Sequence, residues 1–148
     1  MRGFPDLPPL WLFATMAVSW GLGRAVPVLS LGGAGQAIGG LLIAAGVALV
    51  LWSALWFWRK KTPIEPHHDA KALIVEGPYR VSRNPIYLAL VVIALGYGLR
   101  QPTVLALLPV PVLWWVLDRR FAAVEEAVLR AAFGAEADAY LARTRRWL

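Results

Sequence analysis

The 148-residue chain is 59% hydrophobic, with a mean hydropathy of +0.57 and a net charge of +6. An ordinary soluble domain carries roughly 45–50% apolar residues, so a single domain of this length has more apolar surface than a soluble fold hides, and the composition points to the membrane class. The absence of cysteine excludes disulfides, thiolate metal sites and cysteine nucleophiles.

The chain begins MRGFPDLPPL, without the charged start, apolar core and small-residue cleavage site of a signal peptide. The first apolar stretch, Leu10 to Leu29, is therefore expected to remain as a span, interrupted by Gly21, Gly23, Arg24 and Pro27. The run GGAGQAIGG reads as a turn leading into a close-packing helix start. Gln36 to Trp58 follows with no charge in it, and a ~30 Å hydrocarbon core needs only about 20 helical residues.

A polar loop then covers residues 59 to 84. Ile86–Leu99 and Val104–Leu117 are shorter apolar stretches, the second holding Pro109 and Pro111, joined by the polar turn Arg100-Gln101-Pro102. They predict a helical hairpin whose irregular backbone is buried in protein. Beyond it, Phe121, Val124, Val128, Leu129 and Ala132 recur at helical spacing with charges opposite, which predicts an amphipathic helix. A second helical segment after Gly134 ends in Arg143, Arg145 and Arg146.

The expected architecture is all-α and integral to the membrane, with about four transmembrane helices and a cytoplasmic C-terminal amphipathic helix. It forms one domain: 1–35 first span and turn, 36–58 second span, 59–84 cytoplasmic loop, 85–117 hairpin, 118–148 C-terminal helical segment. With both termini cytoplasmic, all 15 Lys and Arg residues except Arg24 and Arg100 fall inside, as the positive-inside rule requires. The basic residues flank apolar segments, which reads as contact with membrane lipids and excludes a separate nucleic-acid domain. Most of the eight tryptophans lie at span ends, as interfacial residues do.

Every polar group capable of chemistry thus gathers on one membrane face. In EGPYRVSRNPIYLAL, residues 76 to 90, Gly77-Pro78-Tyr79 forms a turn, Asn84 is placed to cap a helix, and Pro85 suits its first position. The helix N-terminus favours an anion such as a carboxylate. Arg80 and Arg83 flank it, with Tyr79 before and Tyr87 one turn inside. Glu125 borders the apolar stripe of the amphipathic helix, where a carboxylate can hold an ammonium group; Arg119 and Arg120 precede it. The adjacent His67 and His68 lack further ligands at metal spacing, so no metal is expected. Gly96-Tyr97-Gly98 has no strand beside it and reads as helix packing.

Thr62-Pro63, Leu73-Ile74-Val75, Gly77-Pro78-Tyr79-Arg80, Arg83-Asn84-Pro85-Ile86-Tyr87, Glu125-Glu126, Phe133-Gly134 and Tyr140 together resemble the isoprenylcysteine carboxyl methyltransferase and phospholipid methyltransferase superfamily, over about residues 36 to 147. The resemblance implies an integral enzyme, of the kind found in bacterial inner membranes, that uses S-adenosyl-L-methionine and a lipid-phase small-molecule substrate, a lipidic or isoprenoid-like acceptor. It places cofactor contacts at Lys71, Ala72, Leu73 and Ile74, partly through backbone. Tyr79, Asn84, Pro85, Ile86 and Tyr87 would line the pocket, Glu125 would hold the ammonium, and Arg80 or Arg83 the carboxylate. Asn84 stands where isoprenylcysteine enzymes usually have His. The arginine those enzymes use on the acceptor carboxylate falls on Phe121, leaving Arg120 and Arg119 as acceptor-side candidates. Two other readings fit part of the pattern. One is an NADPH-dependent reductase of the sterol-reductase type, from which the short chain and Asn84-Pro85 depart. The other is a non-catalytic membrane scaffold.

Overall fold

In a computed structural model, the structure describes residues 6–26, 29–60 and 73–148. These residues are mostly helical, and among them β-pairing is limited to one isolated bridge between Ser82 and Arg145. The helices are α1 (Pro8–Ala25), α2 (Gly32–Arg59), α3 (Pro85–Leu99), α4 (Pro109–Val116), α5 (Ala123–Phe133) and α6 (Ala135–Arg143), with short 3-10 turns at Gly77–Arg80 and Val104–Leu107. A π-helical segment, Leu117–Ala122, joins α4 to α5 without a break. The predicted fourth span and amphipathic helix are therefore one rod, preceded by a 3-10 turn that Thr103 caps by accepting from the Leu105 N–H.

The centre of the molecule is α3. Leu12 of α1, Leu90 and Ala94 of α3, Val110 and Leu113 of α4, and Phe121 form the buried apolar cluster around it. Ser19 of α1 donates to the Ala106 carbonyl at 2.8 Å, which satisfies a buried hydroxyl and fixes α1 against the hairpin turn. On the other side α3 meets α2. Among the described helices, α2 is the one long and apolar enough to cross a membrane by itself.

Contact between α2 and α3 is nearly backbone to backbone. A Cβ on Gly39 would lie 2.4 Å from the Gly96 carbonyl oxygen, and one on Gly96 would lie 2.6 Å from that of Gly39. This close approach explains why α2 starts at Gly32, four residues ahead of the predicted span. The glycines expected to form a turn are helical because Gly35 packs on the Leu99 carbonyl. Gly39→Val is expected to cost about 1–3 kcal/mol through overpacking and to lower the thermal midpoint in detergent by several degrees. Gly21→Ala, with no atom within 4 Å of the new Cβ, is expected to leave it unchanged or raised.

The inward face of the C-terminal rod differs from the predicted stripe. Phe121, Ala122 and Glu126 are buried, whereas Val124 is exposed and Val128 half-buried. One added residue turns a helix by about 100°, and the wide π turn supplies such a shift just before α5. Both glutamates consequently lie on the inward side.

Candidate functional site

The site is assembled by the chain leading into α3. Gly77 adopts φ +58° and sits against Trp56, whose Nε1 would be 1.9 Å from a Cβ there. Pro78 and Tyr79 are then buried, with the Tyr79 ring edge-on to Phe57 at 5.7 Å. The Tyr140 hydroxyl of α6 donates to the Tyr79 carbonyl at 2.9 Å. Burial pushes the Tyr79 phenol far above its ordinary pKa, with the neighbouring Glu125 charge adding to the shift. Tyr79 is thus a neutral phenol at physiological pH.

The next residues pair with the end of the chain. The Arg83 N–H donates to the Arg145 carbonyl at 2.9 Å. Arg83 Nε donates to the Thr144 carbonyl at 2.5 Å, and its Nη2 to that of Leu141. Asn84 Nδ2 and Ser82 Oγ both donate to the Arg146 carbonyl at 3.2 Å. Asn84 occupies the cap position of α3, but its side chain makes no capping bond. The expected Asn84 cap is thereby corrected: the C-terminal carbonyl takes the amide, while Pro85 stands at the start of the helix as its fixed φ favours.

Glu126, only 4% exposed, is the hub of this seam. Arg146 grips its carboxylate with two bonds of 2.8 Å, Arg83 adds one of 2.9 Å, and Arg146 also reaches Asp118 at 3.2 Å. Trp147 Nε1 donates to Asp118 at 2.9 Å, so the π segment holds the C-terminus. Burial alone would raise the Glu126 pKa, but the bonds from Arg146 and Arg83 outweigh it and hold the carboxyl below its usual range. A depressed folded pKa means stability that is fully present above the unfolded value of about 4.3 and is lost as pH falls through the folded one. Thermal melts are expected to be level from neutral pH to about 5 and to drop below about 4, with Glu126→Gln flattening that acid limb.

Above the seam lies a cavity of about 360 Å³, within the range of small-molecule sites. Its walls are the start of α1 (Leu7, Pro8, Pro9), α2 (Val50, Ala54, Phe57), Tyr79, the first turns of α3 (Arg83 to Tyr87 and Leu90) and Glu125. Most of this lining is apolar. Inside it the Tyr87 hydroxyl donates to Glu125 Oε1, and the Tyr87 ring lies 6.0 Å from Phe121. Two residues 38 apart in the chain thus present one oriented carboxylate beside the N-terminus of α3.

Of the residues singled out in the sequence, Tyr79, Arg83, Asn84, Pro85, Ile86, Tyr87 and Glu125 line this cavity. Ile74 is buried and Leu73 half-buried beside the site, outside the lining. Lys71, Ala72, Thr62, Pro63, His67 and His68 lie outside the described residues. Arg80 faces a second cavity on the other side of the 3-10 turn. Arg119 and Arg120 line neither cavity. Arg120 pairs with Asp6 at 2.6 Å and lies over the Trp11 ring, bracing the start of α1, and Arg119 is 3.7 Å from Asp118. Glu126, Asp118 and Trp147 were not predicted as site-forming. Glu126 was visible in the sequence as part of the Glu125-Glu126 motif, and for Asp118 the visible signal is an acid set against a strongly basic tail.

The sequence model of the phospholipid methyltransferase family matches residues 34–136, more than two thirds of the chain. No curated protein and no solved structure matches it.

Proposed function

We propose, since this chain belongs to the phospholipid methyltransferase family, that it transfers a methyl group from S-adenosyl-L-methionine to a lipidic or isoprenoid-like acceptor at the cytoplasmic face of a bacterial inner membrane. The carrying observation is the Tyr87–Glu125 pair, an oriented carboxylate in an otherwise apolar cavity. This donor set fits an amino-acid-bearing cofactor. Glu125 would hold the α-ammonium, and the uncapped first turn of α3 would face the α-carboxylate through backbone N–H groups. Tyr79, Pro85 and Ile86 would flank the adenosine. The bound cofactor supplies a sulfonium-activated methyl, so the protein's part is alignment and exclusion of water.

Arg83 lines the cavity with its guanidinium engaged by Glu126 and two carbonyls. It fixes the mouth of α3, which makes it a positioning residue. Among the described lining residues Arg83 is the one cation, and its guanidinium is already engaged. Leu7, Pro8, Pro9 and Leu90 offer an apolar wall to a lipid-phase acceptor.

In this reading α1, α2, α3 and the stretch Val104–Leu117 that holds α4 are the four spans, with both termini cytoplasmic and residues 1–148 acting as one domain. At 15 residues α3 rises about 22 Å, short of the ~30 Å core, which supports a cavity lying below the cytoplasmic interface. Purified protein in nanodiscs of native lipid, given methyl-labelled cofactor, is expected to place label in the organic-extractable fraction. A wild-type preparation that binds no cofactor and labels no lipid would sink the proposal.

A further inference from the structure

The second cavity, about 730 Å³, is lined by Trp56, Val75, Glu76, Gly77, Arg80, Arg143 and Thr144 and shares no residue with the first. Among its described lining residues two are basic and one, Glu76, is acidic; Glu76 is held by Lys60 at 2.5 Å. Arg80 and Arg143 are exposed, and among the described residues neither has a carboxylate partner. Arg143 rests over the Tyr140 ring at 5.9 Å, and Arg59 over the Trp56 ring at 5.4 Å, so a third guanidinium stands at the rim. Trp56 Nε1 is buried and, among the described residues, has no acceptor, which is uncommon for an indole N–H. The cavity also adjoins the end of the lipid-length helix α2, next to the exposed Trp58.

We propose that this cavity is a binding site for a phosphate group, separate from the methyl-transfer cavity. Two guanidiniums on different elements, Arg80 beside α3 and Arg143 at the end of α6, match the spread oxygens of a phosphate better than a single carboxylate. The position at the end of α2 suits the headgroup of an anionic phospholipid; a soluble phosphate ester offers the same chemistry. Occupancy would join the turn before α3 to the end of α6, the two segments the seam already links. The site stands independently of methyl transfer, because none of its residues lines the other cavity.

The test uses full-length protein in nanodiscs of phosphatidylcholine with or without phosphatidylglycerol, with retained lipid read by native mass spectrometry. Wild type is expected to retain phosphatidylglycerol preferentially. Arg80→Gln with Arg143→Gln is expected to cut that preference by roughly 30-fold, from about 1 kcal/mol per interfacial basic residue. Arg145→Gln, an exposed arginine outside the cavity, is expected to leave it unchanged. Displacement of the lipid by millimolar glycerol phosphate assigns the site to soluble esters, and resistance assigns it to the lipid; both support a phosphate site. Wild type that neither prefers phosphatidylglycerol nor retains glycerol phosphate, or an equal loss in Arg145→Gln, overturns the proposal.

Discussion

Glu125→Gln is expected to weaken S-adenosylmethionine binding about 10- to 100-fold, as loss of a hydrogen bond to a charged group costs about 1.5–3 kcal/mol, while leaving the thermal midpoint close to wild type. The carboxylate is oriented by the Tyr87 hydroxyl and belongs to the cavity wall. Glutamine keeps the shape and a hydrogen-bonding oxygen but removes the charge that an ammonium needs. Tyr87→Phe is expected to act in the same direction and more weakly, since the ring still packs on Phe121 and only the orienting bond is lost. Isothermal titration in detergent, paired with a melt of each variant, checks both. Equal binding by Glu125→Gln and wild type would remove the carboxylate from the site.

The neighbouring glutamate should behave in the opposite way. Glu126→Ala leaves Arg83 and Arg146 facing one another without their shared carboxylate. Removing one partner of a buried ion pair costs about 3–5 kcal/mol. Arg146 is one third exposed, which places the expected loss at the lower end, about 3 kcal/mol. For a chain of this size that corresponds to a fall of about 6–12 °C in the melting midpoint. Arg146→Ala should produce much of the same loss, and the double variant little more, because both substitutions break one network. Cofactor binding should fall as well, through the mouth of α3, but in proportion to the destabilisation. Two adjacent acids are thus predicted to separate cleanly, one in binding and one in stability. An additive double variant, or a melt unchanged by Glu126→Ala, would contradict the seam.

The helices and much of the cavity were legible from the chain because they rest on local rules. Uncharged apolar length marks α2, Pro85 marks the start of α3, and the tyrosine and glutamate positions follow the spacing of the methyltransferase pattern. What was not legible depends on partners far away in the chain. Asn84 carries every local mark of a cap, yet the Arg146 carbonyl, 62 residues later, takes its amide. The assignment of Glu125 to the cavity and Glu126 to the seam turns on one helical step, and apolar periodicity does not resolve that step across a π segment. Arg83 reads as an anion ligand by its position. Only the return of the C-terminal tail shows that its guanidinium ties two segments together. The departure of α2 from its predicted start has the same origin, since nothing local announces that Gly35 will meet the Leu99 carbonyl.

In the proposed function the cavity between α1, α2, α3 and α5 receives the methyl donor. Photo-crosslinking of radiolabelled S-adenosylmethionine to the purified full-length protein, followed by peptide mapping, tests it most directly. Label is expected on peptides covering Tyr79 to Leu90 and Glu125, competed by S-adenosylhomocysteine. Label confined to the peptides carrying Trp56 and Arg143, the walls of the second cavity, would contradict it.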